Sequence, residues 1–191
     1  MKKFKRRGGV ISTHLSDYEV ELLRSLVSQL VEVVSEGQPQ EFESAAEPVD
    51  PFEAWAQEME ADPEPTEQPA DPVLQRLFPN AYPDDPVASS DFRRFTERDL
   101  RAKKVTEAQV VLQRLEATAP GASEIRIPAD EVDVWLRTLT SVRLAVATRL
   151  GITDAESAEA LADLPETDPR AFMMSVYDWL GFAEETLISA L

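Results

Sequence analysis

The stretch VDVWLRTLTSVRLAVATRL, residues 132–150, carries the clearest helical pattern in this chain of 191 residues. Its apolar side chains recur at intervals of three and four residues, which places them on one face of an α-helix. They are Val132, Trp135, Leu136, Leu139, Val142, Val146 and Leu150. Pro128 suits a helix start and Gly151 a helix stop, so the pattern predicts a helix over 129–150. The rest of the chain must supply elements that cover its apolar face.

One charged residue, Arg143, falls inside this apolar face. The last predicted helix, over 169–190, has a similar apolar face, and Glu184 falls inside that one. A charge on a buried face is costly unless it is paired. We therefore predict that Arg143 forms an ion pair with Glu184, or with Glu185 if the last helix is rotated. The alternative is that either side chain extends to solvent from the edge of its face.

Further helices are predicted over 17–35, 91–103, 107–118 and 154–163. Capping boxes, in which Ser or Thr is followed three residues later by Glu or Gln, mark three of the helix starts. The pairs are Ser16 with Glu19, Thr106 with Gln109, and Thr153 with Glu156.

Short strands are predicted at the N-terminus and before the long central helix. Residues 2–6 and 10–13 flank Gly8-Gly9, a strong signal for a two-residue hairpin turn. Apolar residues alternate over 124–127, which predicts a third strand. The predicted fold is therefore mainly α (α+β): a bundle of five to six helices with a small antiparallel sheet, made from the N-terminal hairpin and one short strand.

The acidic residues are concentrated in one part of the chain. Residues 36–85 hold 14 acidic residues and one basic residue, and residues 36–91 hold 10 of the 14 prolines. Such a composition is typical of irregular structure, because proline removes a backbone donor and few apolar side chains are available for a core. We predict a single domain, 1–191, with an acidic, proline-rich irregular insert at about 37–71.

The insert contains one apolar pattern of its own. Asp50 and Pro51 suit the start of a helix. Phe52, Trp55 and Met59 then follow at helical spacing. A short amphipathic helix is therefore predicted over 51–61.

The composition excludes several classes of site. There is no Cys, which excludes thiolate metal sites and cysteine nucleophiles, and the single His14 excludes any site with two imidazoles. No glycine-rich phosphate loop or nucleophile elbow is present. We therefore expect no enzymatic activity, no catalytic residues, no cofactor and no metal site. No apolar run approaches the length of a membrane span, so a cytoplasmic location is expected.

Direct binding to DNA is not expected. The net charge of −17 opposes binding to phosphates. Residues 150–153 could join two helices of a helix-turn-helix, but the second helix has no Arg or Lys to enter the major groove.

A basic cluster between residues 93 and 104 is the candidate partner surface. Its members are Arg93, Arg94, Arg98, Arg101 and Lys104. It could bind an acidic partner or nucleic acid; alternatively, it is a solvated face paired with the chain's own acidic insert. A third hypothesis combines the two: the insert masks the basic face until a partner displaces it.

The last helix also carries Met174, Phe182 and Trp179 away from its main apolar face, which favours a homodimer.

Four stretches carry a family resemblance. They are FKR at 4–6 with LS at 15–16, DPVLQRLFP at 71–79, DVWL at 133–136 with VRLA at 142–145, and VYDWL at 176–180. In this order they resemble an actinobacterial family of domains of unknown function, whose members go by the name oxidative-stress regulator AosR. The resemblance covers nearly the whole chain apart from the acidic insert.

The resemblance implies a non-enzymatic regulator of stress-gene transcription that acts through a protein partner, such as a sigma factor or RNA polymerase. One departure matters, because thiol-based redox sensing needs cysteines and this chain has none. The resemblance also implies an alternative, because members of the family tend to be encoded near a Clp protease adaptor. In this alternative the chain is a protein-binding module, linked to proteolysis, that does not act in transcription.

Overall fold

The structure is a computed structural model that describes residues 1–36, 67–118 and 124–191. Within these residues the chain forms three strands and six α-helices. In chain order they are β1 (Lys5–Arg7), β2 (Val10–His14), α1 (Asp17–Ser35), α2 (Pro72–Leu77), α3 (Pro86–Glu116), β3 (Glu124–Pro128), α4 (Val132–Leu150), α5 (Ala155–Ala162) and α6 (Pro169–Ile188). The prediction of a mainly α fold with a small sheet is confirmed. The predicted helix over 51–61, and the insert from residue 37 to residue 66, lie outside the described residues.

The sheet is antiparallel, with the order β1-β2-β3. Gly8 makes the turn of the hairpin with a φ of 63°, a left-handed conformation that favours glycine. Ile11 of β2 pairs with Ile127 of β3, and both side chains are buried. The hairpin and the third strand are therefore as predicted, although β1 begins three residues later than expected.

Helix α4 is the centre of the core. It packs against α6, α3, α2 and α1. Trp135, Leu139 and Val142 on its apolar face are almost completely buried. A short 3-10 turn over Ala129–Glu131 leads into the helix, and Gly151 ends it with a φ of 76°. The helix that the sequence predicts most clearly is thus the one that the other helices surround.

The region 86–116 is one helix, so the prediction of separate helices over 91–103 and 107–118 is wrong. Thr106 does not cap a second helix, because its hydroxyl donates to the Ala102 carbonyl 2.9 Å away, within the continuous helix. Asp85 caps the start of α3 by accepting from the backbone N–H of Ala88 at 3.0 Å. The backbone N–H groups that a capping box at residue 106 would bind already donate to carbonyl groups of the preceding helical turn.

The remaining helix starts are set by short polar side chains. The capping box of Ser16 and Glu19 at α1 is confirmed. At α5 the predicted pair, Thr153 and Glu156, is replaced by a box one residue later, in which Asp154 and Ser157 cap each other's backbone N–H groups at 2.8 and 3.1 Å. Helix α2 is not predicted by the sequence pattern because it has only six residues.

The reverse face of α6 is partly covered by the chain itself. Met174 is buried, and the Trp179 indole N–H donates to Glu19 Oε1 at 3.2 Å. Phe182 is half-buried. The homodimer stays a prediction.

Within 1–36, 67–118 and 124–191, none of the helices combines the length and the apolar character that crossing a membrane requires. In the same part of the chain, no group of three His, Cys, Asp or Glu side chains is placed to hold a metal ion.

The N-cap of α6 gives a prediction for pH dependence. Hydrogen bonds from the Arg170 side chain, and then from its backbone N–H, lower the pKa of the Asp168 carboxyl from 3.8 to about 2. Because this pKa is depressed by folding, the contribution to stability is complete above about pH 4 and is lost as the pH falls towards 2. We expect Asp168→Asn to lower the free energy of unfolding at pH 7, and the difference from wild type to shrink between pH 4 and pH 2.

Urea unfolding at a series of pH values measures this difference. Asp178→Asn, on the exposed side of the same helix, is the control for the loss of one negative charge. A difference between wild type and Asp168→Asn that stays constant across this pH range would contradict the assignment.

Candidate interaction surface

The basic cluster of α3 is divided by the structure into buried and exposed members. Arg93 and Arg101 are only 6% and 7% exposed, so these two residues of the predicted partner surface are not available to a partner. Both form ion pairs with Glu97, which lies midway between them at a spacing of four residues on the core-facing side. Because one carboxylate bridges two guanidinium groups, the three side chains form a buried charge network.

Arg93 connects this network to the segment after α2. Its Nη2 donates to the Phe78 carbonyl at 3.2 Å and to Asn80 Oδ1 at 3.0 Å. Its Nη1 donates to Glu97. The polar groups of a non-helical segment are thereby satisfied away from water, which holds the residues before α3 against the helix.

Arg101 connects the network to the end of α1. Its Nη1 donates to the carbonyls of Val34 and Glu36 at 2.8 and 2.9 Å. Its guanidinium also lies 5.1 Å from the centre of the Phe78 ring. The last carbonyls of a helix have no partner within the helix, so Arg101 supplies the donors that the end of α1 requires.

Lys104 also belongs to an internal contact rather than to an open surface. It is half-buried, and its Nζ donates to Ser141 Oγ of α4 at 3.0 Å. Burial lowers the pKa of the Lys104 ammonium group, with Glu107 acting in the opposite direction. Three of the five predicted surface residues, Arg93, Arg101 and Lys104, therefore make internal contacts.

Arg94 and Arg98 remain on the exposed side of α3, where they lie beside exposed apolar side chains. Val87 is 72% exposed and Phe95 is 70% exposed. The Arg94 guanidinium lies 4.5 Å from the centre of the Phe95 ring, within the range of a cation–π contact. Helical spacing places Asp91 on the same side. We define the outer face of α3 as Val87, Asp91, Arg94, Phe95 and Arg98.

The apolar part of this face was missed by the sequence prediction. Phe95 lies next to Arg94 in the sequence, and an aromatic residue among arginines is a signal that was available. A second signal was Glu97, because its spacing of four residues from both Arg93 and Arg101 predicts ion pairs along the helix.

The structure brings Arg143 and Glu184 together in a separate place, between α4 and α6. Arg143 Nη1 lies 3.1 Å from Glu184 Oε2, and the guanidinium lies 4.6 Å from the centre of the Tyr177 ring. A Cβ added to Gly181 would lie 3.2 Å from Arg143 Nη2, so the absence of a side chain there makes room for the guanidinium. Tyr177, Gly181 and Glu184 follow at helical spacing and together hold Arg143.

An open cleft of about 310 Å³ lies beside this ion pair. Arg143, Tyr177 and Glu184 line it, together with Arg76 and Asp154. The pair links α4 to α6, and we interpret it as a connection between these helices.

This connection predicts a measurable coupling between Arg143 and Glu184. We expect Arg143→Met and Glu184→Gln to be non-additive in the double variant, with a coupling energy of about 1–2 kcal/mol, because each change leaves the other group without its partner. Urea unfolding of the four proteins measures this coupling. Effects that add to within about 0.3 kcal/mol would show that the two groups do not depend on one another.

The sequence is similar to one known family and to several named proteins. The profile of the family described as "Domain of unknown function (DUF2017)" matches residues 1–191. The oxidative stress regulator AosR of Mycobacterium tuberculosis (strain ATCC 25618 / H37Rv) is 28% identical over 135 residues, which cover 65% of this chain and 60% of that protein. The protein of the same name from Mycobacterium bovis (strain ATCC BAA-935 / AF2122/97) gives the same values.

A further relative aligns over the whole chain. This protein, from Mycobacterium leprae (strain TN), also carries the AosR name and is 25% identical over 205 residues, which cover 100% of this chain and 88% of the relative. The chain thus spans about 60% of the length of the curated M. tuberculosis and M. bovis relatives that it matches. No solved structure matches the chain significantly.

Proposed function

The chain belongs to the DUF2017 family, and we propose that it is a non-enzymatic regulatory protein of a stress response. It acts by binding an acidic protein partner through the outer face of α3. The name of its relatives, oxidative stress regulator, supports the link to stress regulation. The outer face of α3 supports the mode of action.

The observation that carries the proposal is the combination of exposed apolar and basic side chains on one side of α3. Val87 and Phe95 expose most of their surface, although the opposite side of the same helix is well packed. Aromatic side chains and Arg are enriched at the centre of protein interfaces. Because Arg94 already lies over the Phe95 ring, part of the ordering that binding requires is complete before the partner arrives.

The chain itself has no thiol with which to sense an oxidant. It contains no Cys, so neither a disulfide nor a sulfenic acid can form on it. We therefore propose that the oxidative signal reaches this protein through its partner. The process that we propose is transcription, with a sigma factor or a subunit of RNA polymerase as the partner.

Affinity purification from the native host, followed by quantitative mass spectrometry, tests the proposal. The tagged chain is compared with the double variant Arg94→Glu/Arg98→Glu. Arg7→Glu/Arg126→Glu is the matched control, because both of its arginines are exposed on the sheet and its change in net charge is the same. We expect the first variant to lose at least about tenfold of the partner, equivalent to about 1.4 kcal/mol, and the control to retain it.

The identity of the partner separates the proposed process from its alternative. Recovery of a sigma factor or polymerase subunits supports a role in transcription. Recovery of protease components would place the protein in proteolysis. Equal recovery by both charge-reversal variants would show that the partner does not bind the outer face of α3.

A further inference from the structure

The cleft of about 310 Å³ beside the Arg143–Glu184 pair has an apolar side as well as a polar one. The apolar side is made by Leu144, Ala147, Ile152, Ala155 and Ala158. The alanines keep the space open, because larger side chains at their positions would reduce its volume. Small-molecule sites combine an apolar surface with a few polar groups, and a volume of about 310 Å³ is at the lower end of their range.

The polar side contains a guanidinium group that is held in place and still reaches solvent. Arg143 donates from Nη1 to Glu184 Oε2 at 3.1 Å and from Nη2 to the Tyr177 hydroxyl oxygen at 3.3 Å. Glu184 is buried, whereas 37% of the Arg143 side chain is exposed. A guanidinium has five N–H donors, so within the described residues one donor on each terminal nitrogen has no acceptor. Such planar donors match the oxygens of a carboxylate.

Four charged residues line the cleft, and Arg76 is the one whose charge is not balanced by a described residue. The Glu184 carboxylate is paired with Arg143. The Asp154 carboxylate caps α5, where its Oδ1 accepts from the Ser157 backbone N–H at 2.8 Å. Arg76 forms no ion pair or hydrogen bond within 1–36, 67–118 and 124–191. The cleft therefore suits a singly charged anion better than a dianion.

Helix α2 holds Arg76 at the edge of the cleft. Leu74 and Leu77 are buried on one side of this helix, and its N-cap residue Asp71 binds Arg149 of α4 across 2.6 Å. Because α2 is fixed to α4 in this way, the exposed Arg76 lies at a defined place in the lining. The two arginines of the cleft thus come from two helices that pack against each other.

We propose that this cleft binds a small carboxylate with an apolar body. The carboxylate lies between Arg76 and Arg143. The Tyr177 hydroxyl is a further donor, because it accepts from Arg143 and keeps its own proton for a ligand. The apolar body lies against Leu144 and Ile152. No residue of α3 lines the cleft, so the site is separate from the outer face of α3 and does not depend on the proposed function.

An NMR titration of the purified chain with hexanoate tests the proposal. We expect hexanoate to shift the backbone amide signals of Ala155 and Ala158 in a saturable manner, with a Kd on the order of 1 mM for so small a probe. Hexanamide has the same apolar body without the charge, so it should bind at least about tenfold more weakly. Hexyl phosphate at pH 8 is a dianion and should also bind more weakly than hexanoate.

Two pairs of variants locate the site. Arg76→Gln should weaken hexanoate binding at least about tenfold. Arg24→Gln removes an exposed arginine of α1, with the same change in net charge, and should leave the Kd unchanged. Ala158→Leu fills the apolar side and should abolish the shifts, whereas Ala160→Leu, at an exposed position of the same helix outside the lining, should retain them.

The variants also keep the proposal falsifiable. None of the four positions is buried, so each variant is expected to fold, and the dispersion of its NMR spectrum verifies this. The absence of saturable shifts in the wild type, or binding that Arg76→Gln and Ala158→Leu leave unchanged, would overturn the site. Equal or tighter binding of hexanamide or hexyl phosphate would overturn the assignment of a carboxylate. The titration needs no partner, so it and the partner capture fail independently.

Discussion

Replacement of Glu97 by Ala is expected to lower the free energy of unfolding by about 3–5 kcal/mol, the cost of leaving a buried charge without its partner. Glu97 is the carboxylate that Arg93 and Arg101 share, and both guanidinium groups are almost completely buried. Without it, two positive charges lie close together in a region of low dielectric constant. The remaining acceptors of Arg93 and Arg101 are neutral carbonyl oxygens, which compensate the charges only in part.

Two further variants make the test of Glu97 specific. Asp99→Ala removes an exposed carboxylate two residues away on the same helix and should change stability by less than about 0.5 kcal/mol. Glu97→Gln keeps one acceptor oxygen but loses the charge. Its loss of unfolding free energy should therefore lie between those of Glu97→Ala and Asp99→Ala. Urea unfolding measures all three. A loss below about 1 kcal/mol for Glu97→Ala would mean that Arg93 and Arg101 reach solvent and are not part of the core.

Replacement of Trp135 by Ala is expected to cost about 3–5 kcal/mol, because it removes the largest side chain at the centre of the core. Trp135 is 1% exposed and lies on α4, around which the other helices pack. Its indole N–H has no hydrogen-bond partner within 1–36, 67–118 and 124–191. Trp135→Phe should therefore cost only about 1 kcal/mol, since it retains much of the ring volume and loses no hydrogen bond.

Trp179 provides the comparison for Trp135. Its indole N–H donates to Glu19, so Trp179→Phe loses a hydrogen bond as well as volume. At each of the two positions, the loss of unfolding free energy caused by Trp→Phe can be divided by the loss caused by Trp→Ala. We expect this ratio to be larger at residue 179 than at residue 135. Denaturant unfolding measures both losses. The reverse order would contradict the description of the Trp135 indole N–H as unsatisfied.

The parts of the fold that the sequence predicted well are those set by local patterns. The apolar face of α4 and the capping box of α1 depend on spacings within a few residues, and both are present in the structure. The capping pattern at Thr106 failed for a local reason too: a cap is needed only where no helical turn precedes it, and here α3 is continuous.

The division of the basic cluster could not be predicted in the same way. Arg is usually exposed, so a pattern of arginines favours a surface. Arg93 and Arg101 are buried because the end of α1 and the residues after α2 present carbonyl groups to them. Those contacts join residues 67 and 15 positions apart in the chain, and such pairs have no signature in the spacing of the sequence. Arg143 and Glu184 were matched across helices because each interrupts an apolar face.

Photo-crosslinking within the complex tests most directly the central claim, that the partner binds the outer face of α3. Ala102 is exposed one helical turn beyond Arg98, and Ala162 is an exposed alanine of α5. A benzophenone is attached at Ala102→Cys or at Ala162→Cys. The complex is then purified with the tagged chain and irradiated. We predict that the probe at residue 102 crosslinks to the partner and that the probe at residue 162 does not. Crosslinking from residue 162 alone, or equally from both positions, would contradict it.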